Sequence, residues 1–190
     1  MANGKELPGL AGSVIRGGLG FAAVGVAAFS VWAFGRGRLG TVGIYGGVAA
    51  AFLVLSVCFL HPLAASPWRF LRAFVPGFAA YCIVWCLAWF QLGFGLGEWL
   101  GSAGGCLAFA LAAGAALGRL RRVPQAALVL FLAHSAGYFL GGLPYYRWRE
   151  QLPVTVMLTW GLIYGLGFGA GIGYAFHAFR PRPPVTPAGG

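Results

Sequence analysis

The chain has 190 residues, of which 59% are hydrophobic, and its mean hydropathy is +0.80. Only 8% of the residues are charged, against roughly 25% in a soluble domain, so the composition excludes an ordinary soluble protein. The net charge of +10 is spread in ones to threes between apolar segments, which excludes a nucleic-acid-binding face and favours contact with a membrane surface.

Six uncharged segments follow one another along the chain, each long enough for a membrane-spanning helix of about 20 residues. Because lipid offers no partner for backbone N–H and C=O groups, each segment is expected to be helical. The predicted fold is therefore all-α, a polytopic integral membrane protein with one six-helix transmembrane domain over residues 1–180. The predicted spans are approximately 18–34, 41–61, 72–93, 98–118, 124–143 and 153–177.

Proline positions are used to set the limits of these spans. Pro76 and Pro153 are expected in first turns, where a missing N–H costs little, and Pro144 is expected to follow the fifth helix. The segment 181–190 is rich in proline and poor in apolar residues, so we predict a disordered cytoplasmic tail.

Basic residues between the spans predict the orientation in the membrane. With both termini in the cytoplasm, the inner side carries nine of them and the outer side four. The nine are Lys5, Arg16, Arg69, Arg72, Arg119, Arg121, Arg122, Arg180 and Arg182. The predicted location is a plasma or inner membrane with cytoplasmic N and C termini.

The two halves of the sequence show a weak internal similarity. Gly35–Arg38, after the first span, resembles Gly118–Arg121, after the fourth, and Pro76 of the third span corresponds to Pro153 of the sixth. Three spans per half suggest a 3+3 inverted repeat, a design that recurs in transporters. The alternative is coincidence, because Arg and Pro are common near the ends of spans.

Glycine recurs at every fourth position in four predicted spans, the second, fourth, fifth and sixth, and the longest series are in the fourth and the sixth. The glycines of these two series are Gly97, Gly101 and Gly105 in the fourth span and Gly161, Gly165, Gly169 and Gly173 in the sixth. Small residues at this spacing let helix backbones approach closely, so these faces are predicted to pack against other helices. The packing can occur within one chain or between chains, and we expect a homo-oligomer or partner membrane subunits beside the lipid bilayer. A pore or gate lined by glycine is the alternative.

Ionisable and polar side chains within the spans are the candidates for a pathway or a binding site. Placing such groups inside a membrane costs free energy, so they usually serve a function there. His134 and Tyr138 share a face of the fifth span, and Glu98 begins the fourth, where it could form a polar mouth with Gln91 and Arg147 or Arg149. The candidate residues are His134, Tyr138, Glu98, Gln91, Arg147 and Tyr164. The alternatives are a histidine that only bonds a neighbouring helix and a glutamate that only stabilises a helix N-terminus.

Cofactor and metal sites receive little support from the sequence. His61 and His177 end the second and sixth spans and could in principle hold a haem, but they lie too near the membrane surface to favour one. Cys82 and Cys86 lack further ligands nearby in sequence, so no metal site is predicted. The cofactor is left unassigned.

Two short resemblances to known families are present. The segment from Ala133 to Gly141 resembles the A-H-x-x-G-x-x-x-G helix of rhomboid intramembrane proteases, but neither the nucleophile nor the base of that family can be carried over to this chain. The family's serine motif does not match, because Ser102 occupies a different position in Gly101–Gly104, one span before His134. Six short spans and Ala23-x-x-x-Ala27 are similar to the vitamin-binding subunits of energy-coupling-factor importers.

These features favour a protein of the transport class, either a small-solute or ion pathway or the solute-binding subunit of an importer. One alternative is a structural or assembly subunit of a membrane complex, favoured by the scarcity of polar groups within the spans. The other is an intramembrane enzyme acting on lipid or peptide, for which His134 with Ser102 or Ser135 is the only support. We assign no catalytic residue.

Overall fold

A computed structural model of the chain describes residues 7–181. This part contains six long α-helices and no β-strand, which confirms the all-α prediction. The helices are α1 (Leu10–Gly35), α2 (Thr41–Leu60), α3 (Pro67–Leu92), α4 (Leu96–Ala116), α5 (Val123–Trp148) and α6 (Pro153–Ala178). All six are long and apolar enough to cross a membrane. Residues 182–190, most of the predicted tail, lie outside the described residues.

Two helices extend through residues that we expected at their boundaries. Pro76 lies inside α3, which begins at Pro67, and Pro144 lies inside α5, which continues to Trp148. The prediction from proline was therefore wrong at both positions. A proline removes one backbone hydrogen bond, but the helix continues because the residues on either side keep theirs and pack against neighbouring helices.

The first helix also begins earlier than predicted. α1 starts at Leu10, so Arg16 lies within it as an exposed residue. A single basic side chain does not end a helix, because its charged head can extend to water while its stem covers apolar surface. An uncharged segment of the sequence therefore predicts the apolar part of a helix but not where the helix begins and ends.

The helices form a bundle in which α6 packs between α1 and α5, and α3 packs against α4. α2 contacts mainly α1 and is the least buried of the six. We call the end where α1 begins and α6 finishes the terminal end, and the other the opposite end. Phenylalanines fill much of the core: Phe21, Phe52, Phe70, Phe74, Phe78, Phe109 and Phe168.

The glycines of α6 face the backbone of α1. A Cβ on Gly165 would lie 2.6 Å from the Cα of Ala22, and one on Gly161 would lie 2.6 Å from the carbonyl oxygen of Gly25. Gly169 and Gly173 meet the carbonyl oxygens of Gly17 and Ser13 in the same way. A stripe without side chains lets these antiparallel helices approach at backbone distance.

The glycines of α4 face α3 at the same close range. A Cβ on Gly97 would lie 2.8 Å from the carbonyl oxygen of Ala88, and one on Gly105 would lie 2.8 Å from the ring of Tyr81. Gly101 lies between them, against Trp85. Both sets of regularly spaced glycines therefore have their close neighbours within this chain.

The order of neighbouring helices bears on the suggested inverted repeat. α1 packs against α6 and α2, and its counterpart α4 packs against α3 and α5. In such a repeat, the pair α2 and α3 would correspond to the pair α5 and α6. These pairs differ, because α5 and α6 share a large interface while α2 and α3 hardly touch. The repeat therefore stays a prediction.

Arg180 joins three parts of the terminal end. Its guanidinium donates to the carbonyl oxygens of Pro8 and Leu63, the latter at 3.3 Å, and to the hydroxyl oxygen of Ser13 at 2.9 Å. Partial burial lowers the pKa of Arg180 below its ordinary value, although a guanidinium stays charged at any physiological pH. One side chain thus joins the end of α6 to the beginning of α1 and to the turn after α2.

Candidate functional site

Three polar side chains from three helices meet in the middle of the bundle. The phenol oxygen of Tyr81 on α3 lies 2.6 Å from Nε2 of His134 on α5 and 3.3 Å from the phenol oxygen of Tyr164 on α6. His134 is fully buried, and both tyrosines are 6% exposed. Tyr81 therefore connects the imidazole to the second phenol within the apolar core.

Small residues make room for this cluster. Gly105 leaves space for the Tyr81 ring, which lies too close for a side chain at that position of α4. Gly137 of α5 and Gly167 of α6 bring the helices of His134 and Tyr164 together. Glycine at these three positions thus lets the polar side chains of α3, α5 and α6 meet.

Glu98 lies nearer the opposite end, at the start of α4, and is 6% exposed. The turn before it contains Gly93 and Gly95 with φ of 68° and 76°, values that residues with a side chain rarely adopt. One carboxylate oxygen accepts from the Gly95 backbone N–H at 3.2 Å, and the helix dipole favours the negative charge there.

The other carboxylate oxygen of Glu98 accepts from two phenols of α5. Tyr138 donates at 3.0 Å and Tyr146 at 3.5 Å. All hydrogen-bond donors to the carboxylate within the described residues are neutral. No guanidinium or ammonium of the described residues is bound to it.

Tyr138 connects Glu98 to the central cluster. Its ring is parallel to the His134 imidazole at 5.9 Å between centroids and meets the Tyr164 ring edge to face at 6.3 Å. The Trp160 indole N–H donates to the Tyr138 carbonyl oxygen at 2.9 Å, which fixes this turn of α5 against α6. We call Glu98, Tyr138, His134, Tyr81 and Tyr164 the polar column.

Several buried polar atoms beside the column have no hydrogen-bond partner among the described residues. They include Nδ1 of His134, Oγ of Ser102 and Nε1 of Trp85. α4 and α5 are antiparallel, and Glu98 of α4 contacts Tyr138 of α5. Ser102 lies one turn after Glu98, and His134 lies one turn before Tyr138. Ser102 and His134 are therefore at the same level of the bundle. This layer therefore has hydrogen-bonding capacity that the described side chains do not use.

The structure brings together most of the candidate residues from the sequence. His134, Tyr138, Tyr164 and Glu98 belong to the polar column, whereas Gln91 and Arg147 are exposed and do not bind Glu98. Arg149 is also exposed, with its guanidinium 6.0 Å from the Tyr145 ring. The expected mouth of Glu98 with these residues does not form, because phenols satisfy the carboxylate while the guanidinium groups keep their hydration.

Sequence reasoning missed Tyr81 and Tyr146. Tyr81 lies near the middle of the third apolar segment, directly before Cys82, and this depth was the available indication. Tyr146 lies two residues after Pro144, which we expected to follow the fifth helix. Only the continuation of α5 through that proline brings its phenol to Glu98.

The groups considered for other chemistry are not hydrogen-bonded to one another within the described residues. Within the described residues, Ser102 forms no hydrogen bond to His134, so the serine and imidazole are not joined as a nucleophile and base. Nδ1 of His61 lies 3.1 Å from the Val57 carbonyl oxygen, and Nδ1 of His177 lies 3.3 Å from the Arg180 guanidinium. No cluster of three metal-ligating side chains is present between residues 7 and 181.

Comparisons with protein-family models, with curated proteins and with solved structures find no match for this chain. The chemistry of the polar column can still be stated from its atoms. Carboxylate, phenol and imidazole groups all donate or accept protons, and here they follow one another from one end of the bundle to its middle.

Proposed function

We propose that the chain is a membrane-embedded protein of the transport class and that protons move along its polar column. The observation that carries this proposal is the buried Glu98 carboxylate, whose hydrogen-bond donors within residues 7–181 are all neutral and which is connected through Tyr138 to His134. Ionisable side chains inside a bundle of apolar helices are costly and usually serve ion or proton movement. A column that served only packing could be built from apolar residues at lower cost.

The proposed proton path begins at Glu98, near the opposite end, and continues to His134 in the middle of the bundle. Glu98 would exchange protons at the opposite end, and the Tyr138 hydroxyl lies at 3.0 Å from its carboxylate. His134 would take up the proton next, because its Nδ1 has no described hydrogen-bond partner while its Nε2 already contacts Tyr81. Imidazole suits this step, because one ring nitrogen can accept a proton while the other releases one.

The first test is to compare proton flux in proteoliposomes that contain Glu98→Gln or the unchanged protein. A potassium diffusion potential drives proton entry, and a trapped pH-sensitive dye reports it. The amide keeps the size and hydrogen-bonding capacity of the carboxylate but cannot take up a proton near neutral pH. We expect the flux to fall at least about tenfold.

Glu150→Gln is the matched control, because it removes the same charge from an exposed position near the same end. We expect this variant to retain the flux of the unchanged protein. Equal flux in Glu98→Gln and the unchanged protein would remove Glu98 from the pathway. If vesicles that contain the unchanged protein show no more flux than empty vesicles, the result would contradict proton transport.

The proposed membrane orientation places the terminal end in the cytoplasm, because nine basic residues lie on that side and four on the other. A reporter enzyme that works only outside the cytoplasm should therefore be silent when fused after Gly190, and one fused between Gly37 and Gly40 should be active. The second fusion serves as the positive control. An active reporter after Gly190 would contradict the six-span orientation.

A second candidate function is a structural or assembly subunit, and α2 is the observation that favours it. Only 11% of the most apolar stretch of this helix is buried inside the bundle, and Val42, Val54 and Phe59 face outward. In a membrane this face can meet lipid, a second copy of the chain or another subunit. A protein that stabilises a complex but conducts no protons would fit this function and not the first.

A further inference from the structure

A small recess lies at the terminal end of the bundle, and we call it the terminal recess. Its volume is about 170 Å³, and most of its lining is apolar. The apolar part comes from four places in the chain: Leu7 before α1, Ala64 and Ala65 after α2, Leu117 after α4, and Phe176 near the end of α6. Two basic side chains, Arg69 and Arg180, complete it.

The two guanidinium groups make the terminal recess positive. Arg180 donates to carbonyl and hydroxyl oxygens and lies 3.3 Å from Nδ1 of His177, and no carboxylate of the described residues binds it. Its Nε is buried and forms no hydrogen bond there. Arg69 is half-buried in the first turn of α3, where the backbone dipole adds positive potential. Positive charge held beside apolar surface is suited to an anion that carries an apolar part.

We propose that the terminal recess binds an anionic phospholipid, with the phosphate bound by Arg69 beside the positive charge of Arg180, and the adjoining glycerol and acyl region against the apolar lining. Guanidinium groups bind phosphate through parallel N–H donors, and basic pockets between helices on the cytoplasmic side are suited to anionic headgroups. This inference rests on the membrane embedding of the proposed function and does not depend on proton movement.

The position of the recess favours a lipid over a small soluble anion. Trp68, next to Arg69, is 71% exposed, and an indole exposed at the end of an apolar helix is typical of the lipid headgroup region. Ala65 and Leu117 keep exposed apolar surface in the lining and would contribute nothing to the binding of free phosphate. They would, however, contact the apolar part of a phospholipid whose phosphate is bound by Arg69.

Native mass spectrometry of the purified full chain provides the test. The protein is mixed with phosphatidylglycerol or with phosphatidylcholine of the same acyl chains, and the bound fraction of each is measured. We expect tighter binding of phosphatidylglycerol by the unchanged protein. Arg69→Gln should weaken its binding about fivefold, as expected for the loss of one basic contact worth about 1 kcal/mol. Arg69 is the residue to change because Arg180 also holds the helix ends together.

Arg72→Gln is the matched control, because Arg72 lies on the same helix, is exposed and does not line the recess. It should bind phosphatidylglycerol as the unchanged protein does. Equal weakening by both substitutions would indicate a diffuse effect of charge and overturn the specific site. Equal binding of the two lipids would remove the role of the anion.

Two further measurements test the other possible occupants of the recess, which are a free anion and the chain's own N-terminal segment. Excess inorganic phosphate should leave the lipid bound, and displacement by phosphate would assign the recess to a free anion. A chain without residues 1–6 should bind phosphatidylglycerol with unchanged affinity. Tighter binding by that variant would mean that the chain's own N-terminal segment competes for the recess, which would overturn the proposal. Neither result depends on the proton flux, so this proposal and the proposed function can fail separately.

Discussion

Gly165→Ala should lower the stability of the bundle by about 1–3 kcal/mol, even though the added group is a single methyl. The new Cβ would lie 2.6 Å from the Cα of Ala22 and 3.0 Å from its backbone nitrogen. Backbone atoms cannot rotate away as the end of a flexible side chain can, so α1 and α6 would have to separate. Thermal unfolding in detergent should show a lower melting temperature, by about 2–4 °C per kcal/mol for a chain of this size.

Gly46→Ala is the matched control for this experiment. Gly46 also lies inside a helix, α2, but apart from the adjoining backbone of α2 no described atom would lie within 4 Å of an added Cβ. Alanine is the better helix former by about 1 kcal/mol, so this variant should be at least as stable as the unchanged protein. Equal melting temperatures for Gly165→Ala and Gly46→Ala would show that α1 and α6 do not pack at backbone distance.

His134→Ala should destabilise the protein and abolish proton flux. The substitution leaves a space in a fully buried position and removes the partner at 2.6 Å from the Tyr81 hydroxyl. The loss of that partner alone should cost about 1–3 kcal/mol, and the space adds to the cost. Thermal unfolding in detergent measures the first effect, and flux in proteoliposomes measures the second.

His134→Gln separates the structural effect from proton transfer. Glutamine can still donate to or accept from Tyr81, so stability should largely return, but an amide cannot take up a proton near neutral pH. We therefore expect a folded protein whose flux stays at the level of His134→Ala. Recovery of both stability and flux in His134→Gln would show that the imidazole only connects helices.

Tyr81→Phe is the companion variant, because it breaks the same hydrogen bond from the other side. The ring remains, so the packing against Gly105 is kept and only the hydroxyl is lost. Stability should fall by about 1–3 kcal/mol, since Nε2 of His134 loses its described partner. Unchanged stability would mean that the contact at the centre of the polar column contributes little.

The number and the apolar parts of the helices could be predicted from the sequence, because a segment that must satisfy its own backbone hydrogen bonds in lipid has to be helical. Their ends could not. Pro76 and Pro144 are local features that usually mark an end, yet packing on both sides keeps α3 and α5 continuous. This continuity brings Tyr146 to Glu98.

The sequence by itself determined six apolar helices, their regularly spaced glycines and the scarcity of ionisable groups between them, because these follow from composition and period along one chain. It did not determine which helices the glycines face, or that Tyr81 lies beside His134. Those contacts join residues far apart in the sequence, and only the tertiary structure decided them, because a helix face has no partner until the other helices pack against it.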